Sequence, residues 1–298
     1  MIKPDKNTHI SFLKLINPET QESIVLCPTL GGTIVSLNIG SSLHQIMESD
    51  SNDELQKNPL FRGRLLFPFN DRIPGGKYSF QGNNYQLPIN CSEDGSSIHG
   101  FLYDKEITIL EQEDKSITLF WRTEKNKLPG YPFDMSLKTE IKLHNGGVTL
   151  SFAVKNQGDI PAPYALGWHS YFKTDSTSTL YAEYPYYFET DEYFLPVGNG
   201  LPSSGSKFDF TQGAGFSVKP LDHTFKAPGN GISILKNRNY SIRIEQKNFA
   251  YTQLFTPPDK TSIAIEPISS KPNSFNTDEV LVLMPEEEYC AGIRIDLL

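Results

Sequence analysis

Residues 135–155 read MSLKTEIKLHNGGVTLSFAVK, and this stretch indicates the class of the fold. Apolar and polar residues alternate from Met135 to Leu143 and again from Val148 to Lys155, which is the period of a strand with one buried face. Between the two runs, His144-Asn145-Gly146-Gly147 can supply the positive φ angles of a tight reversal. The stretch therefore predicts an antiparallel β-hairpin.

The same alternation recurs along the whole chain. Further runs span Ile10 to Ile16, Thr33 to Ile39, Ser116 to Arg122, Ile232 to Lys236, Tyr240 to Glu245, Tyr251 to Thr256 and Tyr289 to Leu297. Helical periodicity is nearly absent, and only Ser51 to Lys57 predicts a short helix. We therefore expect an all-β chain, a large antiparallel β-sandwich with few short helices, in which residues 1–298 form a single domain.

Charge and hydropathy exclude several classes of partner. The formal net charge of −8 argues against a nucleic acid or an anionic membrane, because either partner requires a concentrated basic surface. No window approaches the ~20 apolar residues that span a bilayer, and residues 1–7 lack the apolar run of a signal peptide. We therefore expect a cytoplasmic protein, monomeric or homodimeric, that binds neither nucleic acid nor membranes.

The cysteines and histidines give no indication of a metal site. The three cysteines form no C-x-x-C pair, so neither a disulfide framework nor a thiolate zinc site is indicated. Four of the six histidines, His9, His44, His144 and His223, lack a partner at the spacing of a metal-binding pair. We expect no metal and no cofactor.

Two residues have the surroundings of an acid and a base. Glu266 follows the apolar run 262–265 and precedes Pro267, which is expected to end strand pairing. A carboxylate on the last residue of a buried strand loses solvation, so its proton affinity should rise toward the range of a base. His169 stands between an apolar run and the aromatic pair Tyr171-Phe172, which predicts an imidazole beside aromatic walls.

Four segments each follow an apolar stretch and end in a turn, where a polar side chain would lie at the rim of a sandwich. They are residues 62–76 (RGRLLFPFNDRIPGG), 97–101 (SIHGF), 167–172 (GWHSYF) and 264–276, which contains AIEP and PNSFN. In this order they resemble the aldose 1-epimerase (galactose mutarotase) family. The resemblance runs from about Gly31-Gly32 to the C-terminal strand, and the His-x-Tyr-Phe and Glu-Pro elements make it specific.

The resemblance implies the galactose mutarotase-like supersandwich and an isomerase that acts on a small sugar. In the family pattern Glu266 is the general base for the anomeric hydroxyl and His169 is the general acid for the ring oxygen. Ring opening, rotation about C1–C2 and reclosure then exchange the α and β anomers of an aldohexose without metal or organic cofactor. The matching positions also imply that His99, Arg72 and Asp222 bind hydroxyl groups or face the ring oxygen.

The chain departs from the galactose-preferring members at two places. Asp71 precedes Arg72 where those members commonly have Asn, and an extra carboxylate there bears on which hydroxyl configuration is accepted. The residues after His99-Gly100 are Phe101-Leu102-Tyr103-Asp104 instead of a second glycine and its usual followers. We therefore include Asp71 among the expected substrate-binding residues.

Other functions stay open. The His-Gly-Phe form also resembles hexose-6-phosphate 1-epimerases, in which arginines hold the phosphate; Arg62 and Arg64 could do so, or they could support the sheet, since strand alternation would place them on one face. A non-catalytic carbohydrate-binding module could share the fold, although binding alone requires no acid and base. A polysaccharide hydrolase commonly requires two carboxylates at the bond, and Asp222 could be the second beside Glu266.

Aromatic residues provide two further expectations. Trp168 is expected to stack against the apolar face of the sugar, with core packing as the alternative. Residues 198–220 are rich in Gly, Ser and Lys and contain Phe208, Phe210 and Phe216. This composition predicts a long surface loop pinned by its aromatic residues, or a loop over a binding cleft.

Overall fold

Strands form nearly all of the regular structure in the computed structural model, which describes residues 10–215 and 220–298. The hairpin predicted from residues 135–155 is present: Met135–His144 pairs with Gly147–Asn156 over ten residues on each side. Its alternating apolar side chains are buried. The period of the sequence therefore reports which face of each strand enters the core.

Within the described ranges there are 26 strands, numbered in chain order. The first thirteen are β1 (Leu13–Ile16), β2 (Ser23–Cys27), β3 (Thr33–Ile39), β4 (His44–Gln45), β5 (Leu65–Leu66), β6 (Ile73–Pro74), β7 (Lys77–Phe80), β8 (Asn83–Gln86), β9 (Ser96–Ser97), β10 (Thr108–Gln112), β11 (Ser116–Arg122), β12 (Met135–His144) and β13 (Gly147–Asn156). The others are β14 (Ala162–Tyr164), β15 (Gly167–Trp168), β16 (Tyr171–Lys173), β17 (Thr179–Ala182), β18 (Tyr186–Tyr187), β19 (Leu201–Pro202), β20 (Asp222–Lys226), β21 (Asn230–Lys236), β22 (Ser241–Lys247), β23 (Tyr251–Phe255), β24 (Ser262–Ile268), β25 (Leu281–Leu283) and β26 (Glu288–Leu297).

Two large antiparallel sheets dominate the architecture. One has the order β10-β11-β12-β13-β26-β22-β21-β17, and the other has the order β19-β18-β20-β23-β24-β15-β5, with β16 also paired to β24. A smaller sheet contains β1 to β4 in sequence order. Buried residues of all three sheets, such as Ile24, Leu150 and Leu254, belong to one hydrophobic cluster. The predicted antiparallel β-sandwich is confirmed.

The predicted short helix is also present, as α1 (Asn52–Lys57). Ser51 and Glu54 form a capping box, in which each side chain bonds the backbone N–H of the other residue. Single-turn 3₁₀ helices occur at Pro28–Leu30, Leu102–Asp104 and Ser274–Asn276. Among the described residues, no helix is long and apolar enough to cross a membrane. The assignment of residues 1–298 to one domain stays a prediction.

A buried arginine, which directly precedes the edge strand β5 of the second large sheet, connects that edge to the loops around it. The Arg64 side chain, 1% exposed, donates to five oxygen atoms. They belong to the carbonyls of Leu30, Leu55 and Tyr103, the hydroxyl of Thr33 and the amide of Asn58. Burial lowers the pKa of Arg64 to about 10, so the guanidinium keeps its charge at neutral pH. Arg64 therefore acts as a structural anchor.

The expectation that Arg62 and Arg64 share one face of a strand is wrong. Residues 61–64 form a turn, and Gly63 within it has a φ of 72°. A Cβ on Gly63 would lie 2.0 Å from the carbonyl oxygen of Ile34, so only glycine fits. The two arginine side chains consequently have different environments, Arg64 in the core and Arg62 against Asp50.

Replacing the anchor should destabilise the fold strongly. We expect Arg64→Met to lower the free energy of unfolding by about 2–4 kcal/mol, because buried acceptors lose their donor. The matched control is Arg122→Met, which removes a half-exposed ion pair with Asp134 and should cost less than about 1 kcal/mol. Urea unfolding measures both free energies. Equal losses would show that the buried hydrogen bonds of Arg64 stabilise the fold no more than a surface ion pair does.

Candidate active site

The pairing along one edge of β24 is interrupted in the middle of the strand. On that edge β16 pairs up to Tyr171 opposite Ala264, and β15 pairs through Gly167 opposite Ile268. Between β15 and β16 the chain turns tightly at His169. The N–H of Ser170 donates to the carbonyl of Trp168 across this turn, at 3.0 Å. The interruption therefore places His169 beside residues 265–267.

The prediction that Pro267 ends strand pairing is wrong, because β24 continues for one residue beyond it. Ile265 and Ser269 donate their N–H groups toward the edge that β15 and β16 occupy. The Pro267 nitrogen lies between them and faces the same edge, since N–H directions alternate along a strand. Proline fits there because the carbonyl of Trp168, on the neighbouring strand, accepts the N–H of Ser170 instead.

Glu266 and His169 meet at this interruption. Glu266 lies opposite Gln253 in the β23–β24 pair and is 3% exposed, and His169 is 7% exposed. The Nδ1 atom of His169 lies 3.4 Å from Oε1 of Glu266. The two residues that the sequence pointed to as acid and base, 97 positions apart, are therefore side by side and nearly free of solvent.

Their environment shifts the two proton affinities in opposite directions. Burial raises the pKa of Glu266 well above its ordinary value, the negative charges of Asp71 and Asp222 raise it further, and Arg72 opposes the change. Burial lowers the pKa of His169 well below its ordinary value, and His99 and Arg62 lower it further. Both shifts favour the uncharged form of each group, which is the expected effect of a low-dielectric site.

Aromatic rings hold the His169 imidazole. Tyr171 stacks on it at 5.0 Å with an interplanar angle of 5°, and Phe61 lies nearly parallel to it at 6.3 Å. His99 meets the imidazole edge-on at 5.1 Å, and its own Nδ1 lies 2.9 Å from the carbonyl oxygen of Asn70. Phe61 was missed by the sequence analysis because nothing in its local pattern separates it from a core phenylalanine.

Charged side chains form a second group beside Glu266. Asp222, on β20, accepts a hydrogen bond of 2.8 Å from Gln253, which is the residue opposite Glu266. Burial raises the pKa of Asp222 to about 6, with Asp71 adding to the shift and Arg72 opposing it. Nε of Arg72 donates to Asp94 at 3.1 Å. Gln253 and Asp94 hold charged residues in place, and neither has a sequence motif that would have identified it.

Trp168 does not line this site. Its side chain has no exposed surface, its indole N–H donates to the carbonyl of Gly63 at 3.2 Å, and its ring packs edge-on against Phe172. The prediction that Trp168 stacks on the sugar is therefore wrong, and the alternative, core packing, describes its position. Trp168 is buried on β15, between β5 and β24, and its neighbour His169 faces the site.

Arg62 is engaged with two carboxylates. It donates to Asp50 at 2.8 Å and to Asp259 at 3.2 Å, and its guanidinium lies over the Tyr171 ring at 5.4 Å. Tyr171 in turn stacks on His169. Arg62 thus supports the aromatic wall of the site with its charge already paired.

The described part of the predicted loop, residues 198–215, is pinned by its aromatic residues. Phe208 and Phe210 are both buried and pack against Phe225. Phe216, also part of that prediction, lies outside the described residues. The expectation that aromatic residues pin the loop is confirmed for Phe208 and Phe210, and a place over the cleft stays a prediction.

A sequence model described as aldose 1-epimerase matches residues 14–295. This chain belongs to the aldose 1-epimerase family. It is 28% identical to the uncharacterized protein YihR of Escherichia coli K12 over 232 residues, 74% of each chain. It is also 26% identical to the galactose mutarotase of Mus musculus over 189 residues, which cover 57% of this chain and only 53% of the mouse protein.

Solved structures show the same fold for this aldose 1-epimerase family member. A putative aldose 1-epimerase from Escherichia coli K12 superposes with a TM-score of 0.82 at 19% identity, over 97% of this chain and 99% of the other. The GalM/aldose epimerase homologue from C. elegans gives a TM-score of 0.85 at 18% identity, with the same coverage. The predicted galactose mutarotase-like sandwich is confirmed.

The raised pKa of Asp222 predicts a stability difference that depends on pH. The folded carboxyl, with a pKa of about 6, binds its proton more tightly than the unfolded one at about 3.9, so the stability this group contributes is fully present below pH ~4 and is lost as the pH rises through 6. We therefore expect Asp222→Asn to stabilise the fold by about 1–3 kcal/mol at pH 8 and to change little at pH 4.

The control for that experiment is Asp175→Asn. Hydrogen bonds from Thr177 and Arg238 lower the pKa of Asp175 to about 2, so its neutralisation should act with the opposite sign at pH 8. Urea unfolding at both pH values measures the two variants. A destabilised Asp222→Asn protein at pH 8 would contradict the assigned cost of the buried charge.

Proposed function

We propose that this protein is a mutarotase that interconverts the α and β anomers of a free aldohexose. The observation that supports this most directly is the buried pair of Glu266 and His169, 3.4 Å apart at the interrupted edge of β24. Membership of the aldose 1-epimerase family supports the same reaction class. Hydroxyl-binding groups of both charge signs, Arg72 and Asp222, lie beside the pair.

In the proposed reaction each member of the pair handles one oxygen of the sugar. Glu266, as the carboxylate, accepts the proton of the anomeric hydroxyl, and protonated His169 donates a proton to the ring oxygen. The bond between C1 and the ring oxygen breaks, which gives the open-chain aldehyde. Rotation about C1–C2 then presents the other face of the carbonyl, and the reverse transfers close the ring.

The two proton transfers leave the number of protons on the pair unchanged. The pair begins ring opening as carboxylate and imidazolium, and it ends as carboxylic acid and neutral imidazole. The attraction between the charges at 3.4 Å favours the first form, whereas burial of both groups favours the second. Opposed effects of this kind suit a catalyst that must work equally well in both directions.

The remaining predicted site residues would hold the sugar. The guanidinium of Arg72 offers N–H donors in a plane that its bond to Asp94 fixes, and Asp222 offers acceptors. The His99 ring is oriented by its contact with the Asn70 carbonyl. Asp71, next to Arg72, adds a carboxylate. Fixed donors and acceptors hold the anomeric carbon against the pair and avoid the entropy cost of a bimolecular encounter.

The arrangement favours a free sugar over a hexose 6-phosphate. Arg64 is buried with all its contacts inside the protein, and Arg62 is already paired with Asp50 and Asp259. Carboxyl groups near the pair, among them Asp222, would repel a phosphate dianion. A carbohydrate-binding module remains the alternative of another class, and the buried acid–base pair argues against it because binding does not require one.

Removing the base should abolish turnover and leave the fold intact. We expect Glu266→Gln to reduce kcat for freshly dissolved α-glucose or α-galactose by about 10²–10⁴-fold, and His169→Asn to have a similar effect. Polarimetry follows the decay of optical rotation. Glu140→Gln, an exposed change on β12, is the control and should keep full activity. A nearly active Glu266→Gln protein would remove Glu266 from the mechanism.

Glucose 6-phosphate distinguishes the two branches of the family. Because the Arg62 guanidinium is paired with Asp50 and Asp259 and the Arg64 guanidinium is buried among its acceptors, we expect no competitive inhibition of glucose mutarotation by glucose 6-phosphate at low salt, where screening is weakest. The measurement is the polarimetric rate at increasing concentrations of the phosphate ester. Strong inhibition that weakens with added salt and disappears in Arg62→Met would move the assignment to the phosphate branch.

A further inference from the structure

Residues 189–197, here called the rim loop, form a small hairpin beside Arg72. The N–H of Val197 donates to the carbonyl of Glu189 at 2.9 Å. At the tip, Oδ1 of Asp191 accepts the N–H groups of Tyr193 and Leu195, both at 2.9 Å. These bonds give the tip a defined conformation, so the position of its side chains is a property of the fold.

Phe194 occupies this tip in a conformation that disfavours it. Its φ of 60° lies in the left-handed region, where a residue with a Cβ is strained and Gly or Asn would be preferred. Its side chain is 46% exposed, so burial returns little of that cost. Strain on an exposed aromatic residue indicates a role in contact with something other than the core.

The contact partner inside the protein is the arginine of the candidate site. The Cζ atom of Arg72 lies 5.2 Å from the centre of the Phe194 ring, within the range of a cation–π interaction. The same guanidinium bonds Asp94 and lies close to Asp71 and Asp222. One face of the Phe194 ring is therefore covered by Arg72, and 46% of the residue stays exposed to solvent.

We propose that Phe194 is a platform for a second sugar ring, so that the aldose at the pair can be the reducing end of a disaccharide. This inference rests on the proposed function of Glu266 and His169. Arg72 would bind hydroxyl groups of the inner ring, and the C–H face of the outer ring would pack on Phe194 beyond it. Tyr193, 53% exposed in the same loop, extends the aromatic surface.

The test compares sugars that share one reducing ring. Polarimetry gives kcat/KM for glucose, lactose and maltose with the parent protein and with Phe194→Ala and Phe194→Tyr. We expect Phe194→Ala to lower the ratio of kcat/KM for lactose or maltose to that for glucose by about 2- to 13-fold, the range of a lost aromatic contact. Phe194→Tyr should preserve the ratio. Phe12→Ala, with a side chain that is also 46% exposed, is the matched control and should not change it.

Two outcomes would overturn the platform. Equal losses on all three sugars would mean that Phe194 acts only by holding Arg72, and no loss on any of them would mean that it has no part in binding. If the parent protein accelerates none of the sugars, the proposed function fails separately, and calorimetric titration with lactose and maltose decides the platform. Weaker binding to Phe194→Ala than to the parent would then support it, and equal binding or none would exclude it.

Discussion

The interrupted pairing along β24 is the constraint on which the candidate site depends. A continuous neighbour strand would point alternate side chains to the two faces of the sheet and leave no room for a turn at His169. The turn is held from its other side, because His169 exchanges backbone hydrogen bonds with Gly63 and Arg64. Those residues are in turn fixed by the buried guanidinium of Arg64. The anchor, the turn and the acid–base pair are therefore parts of one construction.

The cost of this construction is electrostatic. Glu266 is buried and Asp222 is partly buried; the pKa of each carboxyl group is raised, and neither contributes to stability when charged. The distance of 3.4 Å between His169 and Glu266 is long for a hydrogen bond. The two groups are consequently close enough to influence each other's protonation, and no hydrogen bond locks them together. In the proposed reaction this leaves each group free to exchange a proton with a sugar oxygen. Stability given up at a site in this way is common where function requires it.

The sequence predicts repeated features well and single exceptions poorly. The β12–β13 hairpin and α1 follow from local periodicity and capping, which residues close in sequence determine. The prediction that Pro267 ends strand pairing is wrong because a proline interrupts pairing only where its nitrogen faces a partner strand. Here the nitrogen faces the gap between β15 and β16. The prediction that Trp168 stacks on the sugar is wrong because an aromatic residue beside a site and one in the core have the same local sequence pattern. Gln253 could not be identified from the sequence because strand register alone brings it opposite Glu266, from where its side chain reaches Asp222.

Asp71 shows how a small departure in sequence acts on chemistry. By the resemblance, Asp71 stands where galactose-preferring members commonly have an uncharged Asn, and the sequence therefore predicts an effect on hydroxyl recognition. In the structure its charge is, after burial, the main influence that raises the pKa of Glu266, and it also raises that of Asp222. A substitution at this position therefore changes the proton affinity of Glu266, the proposed base, because carboxylates that share a poorly solvated site cannot ionise independently. The proton affinities of Glu266 and Asp222 are therefore coupled through Asp71, and Arg72 is the cation that opposes both shifts.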